Sequence, residues 1–352
     1  MRALVYDVFG ERPVPREVPD PTPPPHGVVL RVTATGVCRS DWHAWRGHDP
    51  EVRVPHVGGH ELAGVVAEVG AHVRRVRVGE RVTVPFVCAC GGCPACVVGD
   101  QQVCARQTQP GFTHWGSFAE YVVIHHADVN VVPIPDDLDD AAAAILGCRF
   151  GTAYRAVLRQ GQVAVGDWVA VHGCGGVGLA AVMIAAAAGA RVVAVDVSAP
   201  ALRLARELGA EEVVDASLAG TIPAEDPDAV AQIVRDLTGG GARVSLDCLG
   251  SPRTCAASVL SVRRRGRHVQ VGLLSRAEVP MDRVVAYEVE LVGSHGLQAH
   301  EYPGMLAMVE SGRLRPDRLV QRRIQLDDIP DVLAAMDTGA SPSPGMTVAV
   351  LS

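Results

Sequence analysis

The chain has 352 residues, 48% of them apolar and 20% charged, with a formal net charge of −7. That length can bury two ordinary cores, and the acidic balance excludes the basic face that a nucleic-acid partner needs. The first ten residues carry Arg2 and Asp7 and no sustained apolar core, so they do not read as an export signal and a cytoplasmic location is expected.

In chain order, residues 4–8, 28–32, Glu61–Val69 and 81–86 read as short, valine-rich strands broken by turns. The proline-rich stretch 19–25 forbids regular structure. Acids at 136–140 before the apolar run 141–145 predict a capped helix start. From Trp168 the pattern changes. Trp168–His172 is a continuous apolar strand, 178–188 a helix, Arg191–Asp196 a second strand, and 199–208 a helix closed by Gly209. Strands at 213–214, 244–247 and 268–271 follow, with a helix at 226–238 among them. Alternation of this kind predicts a parallel, doubly wound sheet. Beyond residue 283 the chain returns to mixed structure and ends in a strand at 348–351. The uncharged run 174–190 falls short of the roughly 20 residues a membrane span needs, and a buried βαβ unit accounts for it. The run Arg263, Arg264 and Arg265 is read as a solvated surface feature.

Ten cysteines in a reducing compartment suggest metal rather than disulfides where they are closely spaced. Cys90, Cys93 and Cys96, with Gly and Pro supplying the bends, can converge on one tetrahedral zinc, and Cys104 closes a small lobe. Four thiolates leave no open position, so this site is structural. Cys88 competes for the assignment, but Cys90 gives the regular spacing. A second set is Cys38, His60 and, far along the chain, Cys148: two thiolates and one imidazole with a vacant fourth position form a catalytic zinc arrangement. Third, Gly173-Cys174-Gly175-Gly176-Val177-Gly178 fits G-x-G-x-x-G between a strand and a helix, and Asp196 ends the next strand. In that context the turn is a dinucleotide fingerprint, with pyrophosphate at the helix N-terminus and the carboxylate on the adenosine ribose.

With these three constellations in this order, the chain resembles the zinc-containing alcohol dehydrogenases of the medium-chain dehydrogenase/reductase family over nearly its whole length. The resemblance implies an α/β protein with a GroES-like, mainly β catalytic domain at 1–146 and 294–352, including a structural-zinc lobe at 88–105. A Rossmann NAD-binding domain, a doubly wound parallel sheet, is implied at 147–293. It further implies two Zn²⁺ per chain, NAD, a small-molecule alcohol or aldehyde substrate, no membrane partner and a homo-oligomer. Carried over residue by residue, Cys38, His60 and Cys148 match catalytic zinc ligands, and Glu61 a carboxylate that approaches the metal during ligand exchange. Asp41 matches a group orienting His60. Ser40 and His43 match a proton relay, Arg39 a pyrophosphate contact and Thr152 a residue beside the nicotinamide. Cys90, Cys93, Cys96 and Cys104 match the structural ligands. One departure stands out. Some members place an arginine near the C-terminus against the cofactor phosphates, and 345–350 offers none.

The reaction so implied is reversible hydride transfer between a primary or secondary alcohol and NAD. Trp42, Phe86, His114 and Trp115 are expected to line a mostly aromatic substrate wall. The alternatives are a polyol or formaldehyde dehydrogenase on the same scaffold and, from another class, a non-catalytic zinc- and NAD-binding redox sensor. The sensor is expected to lack Ser40, His43 or a site ligand, and the chain lacks none of them.

Overall fold

The ten-residue strand Val28–Val37 is the axis of one of two units. In this computed structural model, which describes residues 1–217, 227–338 and 344–351, it pairs antiparallel with Glu61–Val69, Tyr121–Ile124 and Met346–Val350. Three distant stretches of chain therefore meet on one strand. The sheet runs Val320–Ile324, Met346–Val350, Val28–Val37, Glu61–Val69, Arg81–Thr83, Val132–Pro133, with Tyr121–Ile124 as a further partner of the axis. Its branched side chains make the core: Val28, Leu30, Val32, Leu62, Val66, Val82, Val84 and Ile124 are all buried together. This is the mainly β, GroES-like part.

Some strands differ from the sequence expectation for local reasons. The axis continues five residues past 32, to Val37, because residues 34–37 remain paired with Glu61–Ala63 and the C-terminal strand. The segment 81–86 stops being a strand at Thr83: Pro85 has no N–H for a ladder, and the Phe86 N–H turns to the Gly147 carbonyl at 2.9 Å. The first strand lies at Arg2–Val5, antiparallel to Val14–Glu17.

The second unit is a six-stranded, all-parallel sheet. In space its strands run Glu212–Asp215, Arg191–Asp196, Trp168–His172, Ala242–Asp247, Val262–Gln270, Glu290–Gly293. Numbered along the chain that is 3-2-1-4-5-6, the doubly wound order, whose ligands bind at the carboxyl ends of the strands where the order reverses. Helix Gly176–Ala187 begins two residues earlier than the pattern suggests, with Gly175 as its N-cap. Helix Ala199–Glu207 ends before Gly209, at φ 115°. The helix expected at 226–238 is present as Pro227–Leu237, and Asp226 lies outside the described residues. Strand Val262–Gln270 starts earlier than residue 268, so the three arginines at 263–265 lie on it, exposed.

The two units comprise Met1–Gly151, Gly296–Gly312 and Pro316–Ser352 on one hand, and Thr152–His295 with Arg313–Arg315 on the other. The division falls after Gly151, not after the expected 146, because the segment between is held within the first unit. The Tyr302 hydroxyl donates to the Leu146 carbonyl at 3.1 Å, and Gly147 accepts from Phe86. Cys148 therefore belongs with the β unit. Among the described residues, no helix is long and apolar enough to cross a membrane.

Candidate metal centres and dinucleotide cradle

Cys38 follows the last residue of the axial strand and is the N-cap of the short helix Arg39–Trp45. Asp41, the third helical residue, folds its carboxylate back to accept the Cys38 N–H at 2.8 Å. The same buried carboxylate accepts the Gly59 N–H at 3.2 Å and the His60 Nδ1–H at 2.8 Å. One acid thus joins a helix start to a ligand 22 residues away in sequence. Gly59 makes the turn into His60 at φ 97°, and a Cβ there meets Phe118 N and Ser117 Oγ at 2.7 Å, so the position admits only glycine.

With Nδ1–H donated to Asp41, the lone pair of His60 faces outward from Nε2. That atom is buried and has no hydrogen-bond partner. The sulfurs of Cys38 and Cys148, His60 nitrogen and a Glu61 oxygen all lie within 4.8 Å of one another. A buried acceptor without a donor is costly, and two soft sulfurs beside it are what a zinc ion satisfies. The donor set fits zinc. Hydrogen bonding from Cys148 holds the Cys38 thiol well below its ordinary range despite burial, so Cys38 is ready to ligate as thiolate. Phe86 and Phe112 flank the imidazole edge-on, with ring centroids 6.1 and 5.2 Å away.

Glu61 is clamped. Its carboxylate accepts the Arg149 backbone N–H at 2.8 Å, Nε at 2.9 Å and Nη2 at 2.5 Å. Both side chains are almost fully buried. Burial pushes Glu61 above the ordinary carboxylate range, and Arg149 works against that shift. Neither Arg149 nor Phe112 was singled out from sequence: an arginine after a cysteine carries no signal when its partner lies 88 positions away. Ser40 Oγ sits 3.8 Å from Cys38 Sγ. His43 is half-buried on the same helix, its Nδ1 3.0 Å from Nδ1 of His48.

The lobe gathers Cys90, Cys93, Cys96 and Cys104 with all four sulfurs within 4.8 Å. Cys93 Sγ lies 3.4 Å from Cys96 Sγ and 3.7 Å from Cys104 Sγ. Cys104 Sγ accepts backbone N–H groups from Cys90 and Arg106, at 3.4 and 3.3 Å. Backbone donors, that of Cys96 first, bring the Cys93 thiol down to about 6. All ten cysteines are free. Cys88 stands apart: its thiol donates to the Pro85 carbonyl, and burial pushes it up to about 12.

The residues of the expected aromatic wall are each anchored. Phe86 faces His60, Trp115 donates to the Pro55 carbonyl at 3.1 Å and His114 Nε2 lies 3.1 Å from the Val123 carbonyl. Trp42 donates to Asp337 at 2.7 Å. Arg39 reaches the Met336 carbonyl at 2.8 Å, with its guanidinium 5.0 Å above the Trp42 ring.

In the second unit, the glycine turn between Trp168–His172 and its helix shows what each glycine is for. Gly173 has φ 89°; a Cβ on Gly178 lies 1.8 Å from the Gly173 oxygen; a Cβ on Gly175 meets nothing within 4 Å. Tight turn, close helix–strand packing and open approach are the three roles a pyrophosphate-binding loop assigns to them. Asp196 accepts the Cys174 N–H at 2.5 Å through one oxygen and the Ser198 N–H at 2.8 Å through the other. It ties the turn to the end of the next strand. The cap of the following helix is Ser198, not Asp196. Thr152 is buried, on helix Arg149–Tyr154.

A GroES-like unit carrying one thiolate–imidazole cluster and one all-thiol cluster, and a doubly wound unit carrying an open glycine turn, together define a zinc-binding, dinucleotide-dependent dehydrogenase. Comparison with known proteins agrees. An alcohol dehydrogenase GroES-like domain matches residues 24–136, and a zinc-binding dehydrogenase domain matches 176–311. An alcohol dehydrogenase of Geobacillus stearothermophilus is 34% identical over 94% of this chain and 95% of its own length. A sorbitol dehydrogenase of Halalkalibacterium halodurans is 30% identical, covering 96% and 97%, and an L-threonine 3-dehydrogenase of Rhizobium etli 33%, covering 92% of each. Among solved structures, alcohol dehydrogenase TADH from Thermus sp. ATN1 superposes with a TM-score of 0.88 at 30% identity over all of both chains. A putative zinc-binding dehydrogenase from Sinorhizobium meliloti 1021, bound to NADP, gives 0.85 at 28%, covering 99% of each. The chain belongs to the zinc-dependent alcohol dehydrogenases of the medium-chain dehydrogenase/reductase family.

Proposed function

We propose that this enzyme oxidises a primary or secondary alcohol reversibly to the aldehyde or ketone, with NAD as hydride acceptor. The observation that carries the reading is the buried, unpartnered Nε2 of His60, aimed among Cys38, Cys148 and Glu61. Cys38, His60 and Cys148 hold a catalytic zinc; Cys90, Cys93, Cys96 and Cys104 hold a structural one. Zinc at the first site supplies Lewis acidity, which brings an alcohol's pKa toward neutrality. Asp41 keeps His60 in the tautomer and orientation that ligation needs. Glu61 stands ready to approach the metal, and Arg149 limits how far it moves. Ser40, beside Cys38, takes the hydroxyl proton from the substrate, and His43 takes it onward.

Gly173, Gly175, Gly176, Val177 and Gly178 cradle the cofactor pyrophosphate at the helix N-terminus, with Arg39 as a further phosphate contact and Thr152 beside the nicotinamide. NAD, when bound, accepts the hydride. Asp196 favours NAD: each oxygen that already accepts one N–H keeps a lone pair for a ribose hydroxyl, and a 2′-phosphate within about 4 Å is repelled by its charge. Residues 197–201 contain no lysine or arginine to offset that repulsion. A preference of at least a hundredfold, about 2.7 kcal/mol, is expected.

A polyol or amino-alcohol substrate is the second reading, favoured by the sorbitol and threonine dehydrogenases among the relatives. Elemental analysis is expected to give two zinc ions per chain, and light scattering a homo-oligomer. The deciding experiment is kcat/KM for benzyl alcohol, medium-chain alkanols, sorbitol, glycerol and L-threonine, each with NAD and with NADP. Benzyl alcohol or an alkanol with NAD is expected to lead. A higher value for sorbitol or threonine moves the function to the second reading, and parity of the cofactors removes the role given to Asp196.

A further inference from the structure

Helix Arg39–Trp45 ends in a way that sequence makes easy to overlook. Arg46 is its C-cap and Gly47 follows at φ 73°. The Gly47 N–H bonds the Ala44 carbonyl at 3.0 Å and the His48 N–H bonds the His43 carbonyl at 2.9 Å. These are the two bonds of a Schellman motif, which lays the second residue past the cap against the residues one turn inside the helix. Usually that contact is apolar. Here the residues are both histidines. His48 Nδ1 lies 3.0 Å from His43 Nδ1, the ring centroids are 5.3 Å apart, and Trp42 stands edge-on to both rings.

The two ends differ in what they face. His43 is half-buried and His48 exposed. Burial, His48 and Arg39 hold His43 below the ordinary imidazole value, and the Cys38 sulfur works the other way. Trp42, beside both rings, is fixed through Asp337, which also holds Arg46 at 2.9 Å. A proton on His43 is therefore poorly housed and has one hydrogen-bonded neighbour open to water.

We propose that His48 is the exit of the proton path, the group through which His43 passes the substrate's proton to solvent. The inference rests on the reading of His43 as proton acceptor in alcohol oxidation. The step balances as a proton transfer without electrons. An N–H bond forms at His43 Nε2 as the O–H that carries the substrate's proton breaks, the proton on His43 Nδ1 moves to His48 Nδ1, and the N–H at His48 Nε2 breaks to release a proton to water. The two rings regain their tautomers by exchange with solvent. Reduction of an aldehyde runs the same path inward.

His48→Gln in the full-length enzyme tests this, with His43→Gln beside it. Ring-nitrogen NMR titration of the metal-loaded protein without cofactor is the first readout. In the parent, the facing Nδ1 atoms share one proton, so the second is taken up only at lower pH; in the His48→Gln protein His43 titrates alone, at a higher midpoint. The second readout is benzyl alcohol oxidation with NAD. His48→Gln is expected to be slower by about three- to tenfold near neutral pH, to approach the parent in alkali, and to be restored by added imidazole, as loss of a proton carrier predicts. An unchanged His43 titration overturns the proposal. So does a loss that is uniform in pH and unrelieved by imidazole, which marks mere packing. If His43→Gln is also as fast as the parent, the reading of His43 itself fails; if only His48→Gln is, the exit alone fails. Should benzyl alcohol not be turned over, the titration still decides whether the pair shares its proton.

Discussion

The two ligand clusters of the β unit invite comparison. The lobe draws all its thiols from residues 90–104, whereas Cys38, His60 and Cys148 come from a helix cap, a strand entry and a segment after a 3₁₀ turn. In the lobe, backbone N–H groups point at sulfur and every ligand is a thiol. In the other cluster one donor is an imidazole with an unpartnered Nε2, and a fourth group, Glu61, is held back by Arg149. Local assembly with four equal ligands makes a closed staple that exists to hold a small segment. Long-range assembly with unequal ligands depends on the rest of the fold and leaves room for a further ligand. On the proposed reading, the difference separates a metal used for stability from one used for chemistry.

The strongest way to break that contrast is Cys93→Ser. A structural zinc contributes on the order of 10 kcal/mol of folding free energy, so the variant is expected to lose one zinc and unfold at a sharply lower Tm, read by calorimetry with metal analysis. A variant that keeps its Tm shows the lobe to be dispensable. Next comes His60→Ala, whose fold is already set by the surrounding sheet. It is expected to lose at least about ten-thousandfold in kcat, over roughly 5 kcal/mol of barrier, while its Tm stays near the parent's. Equal losses of stability in both variants erase the distinction.

Arg149→Met sharpens the contrast from the other side. Removing one partner of a buried ion pair costs about 3–5 kcal/mol, which urea denaturation should show, and Glu61→Gln added to it should recover part of that loss. Asp41→Asn is the mildest. Its side chain keeps the shape but has one acceptor fewer for its three donors, and supporting groups of this kind are worth about 10–100-fold in metal affinity. Competition with a chelator should show that loss at the His60 site and none at the lobe.

How legible these sites were follows from how far apart their parts lie. Spacing alone shows Cys90, Cys93, Cys96 and Cys104, because their convergence is a property of one turn. The strand Arg191–Asp196 and the glycine turn are legible for the same reason: periodicity, turn chemistry and the acid fall within one βαβ unit. Cys38, His60 and Cys148 gain meaning only as a set, and Arg149, which fixes Glu61, leaves no local trace. His48 has a trace of another kind, a glycine after a short helix followed by a second histidine. Trp115 and His114 read as a substrate wall because aromatic residues near a site suggest one; the backbone carbonyls at Pro55 and Val123 that anchor them leave no trace in the sequence.

The 1.8 Å between the Gly173 oxygen and a Cβ built on Gly178 bears on how such an enzyme can change over time. No rotamer choice relieves a methyl placed there, since the main chain fixes where a Cβ sits and the atom it meets is a main-chain oxygen. The loop therefore tolerates no gradual variation: any residue larger than glycine must move a strand end and a helix start together. If the turn holds the cofactor phosphates as proposed, a change of cofactor preference falls to positions such as Asp196 and exposed Val197, where side chains can be exchanged one at a time.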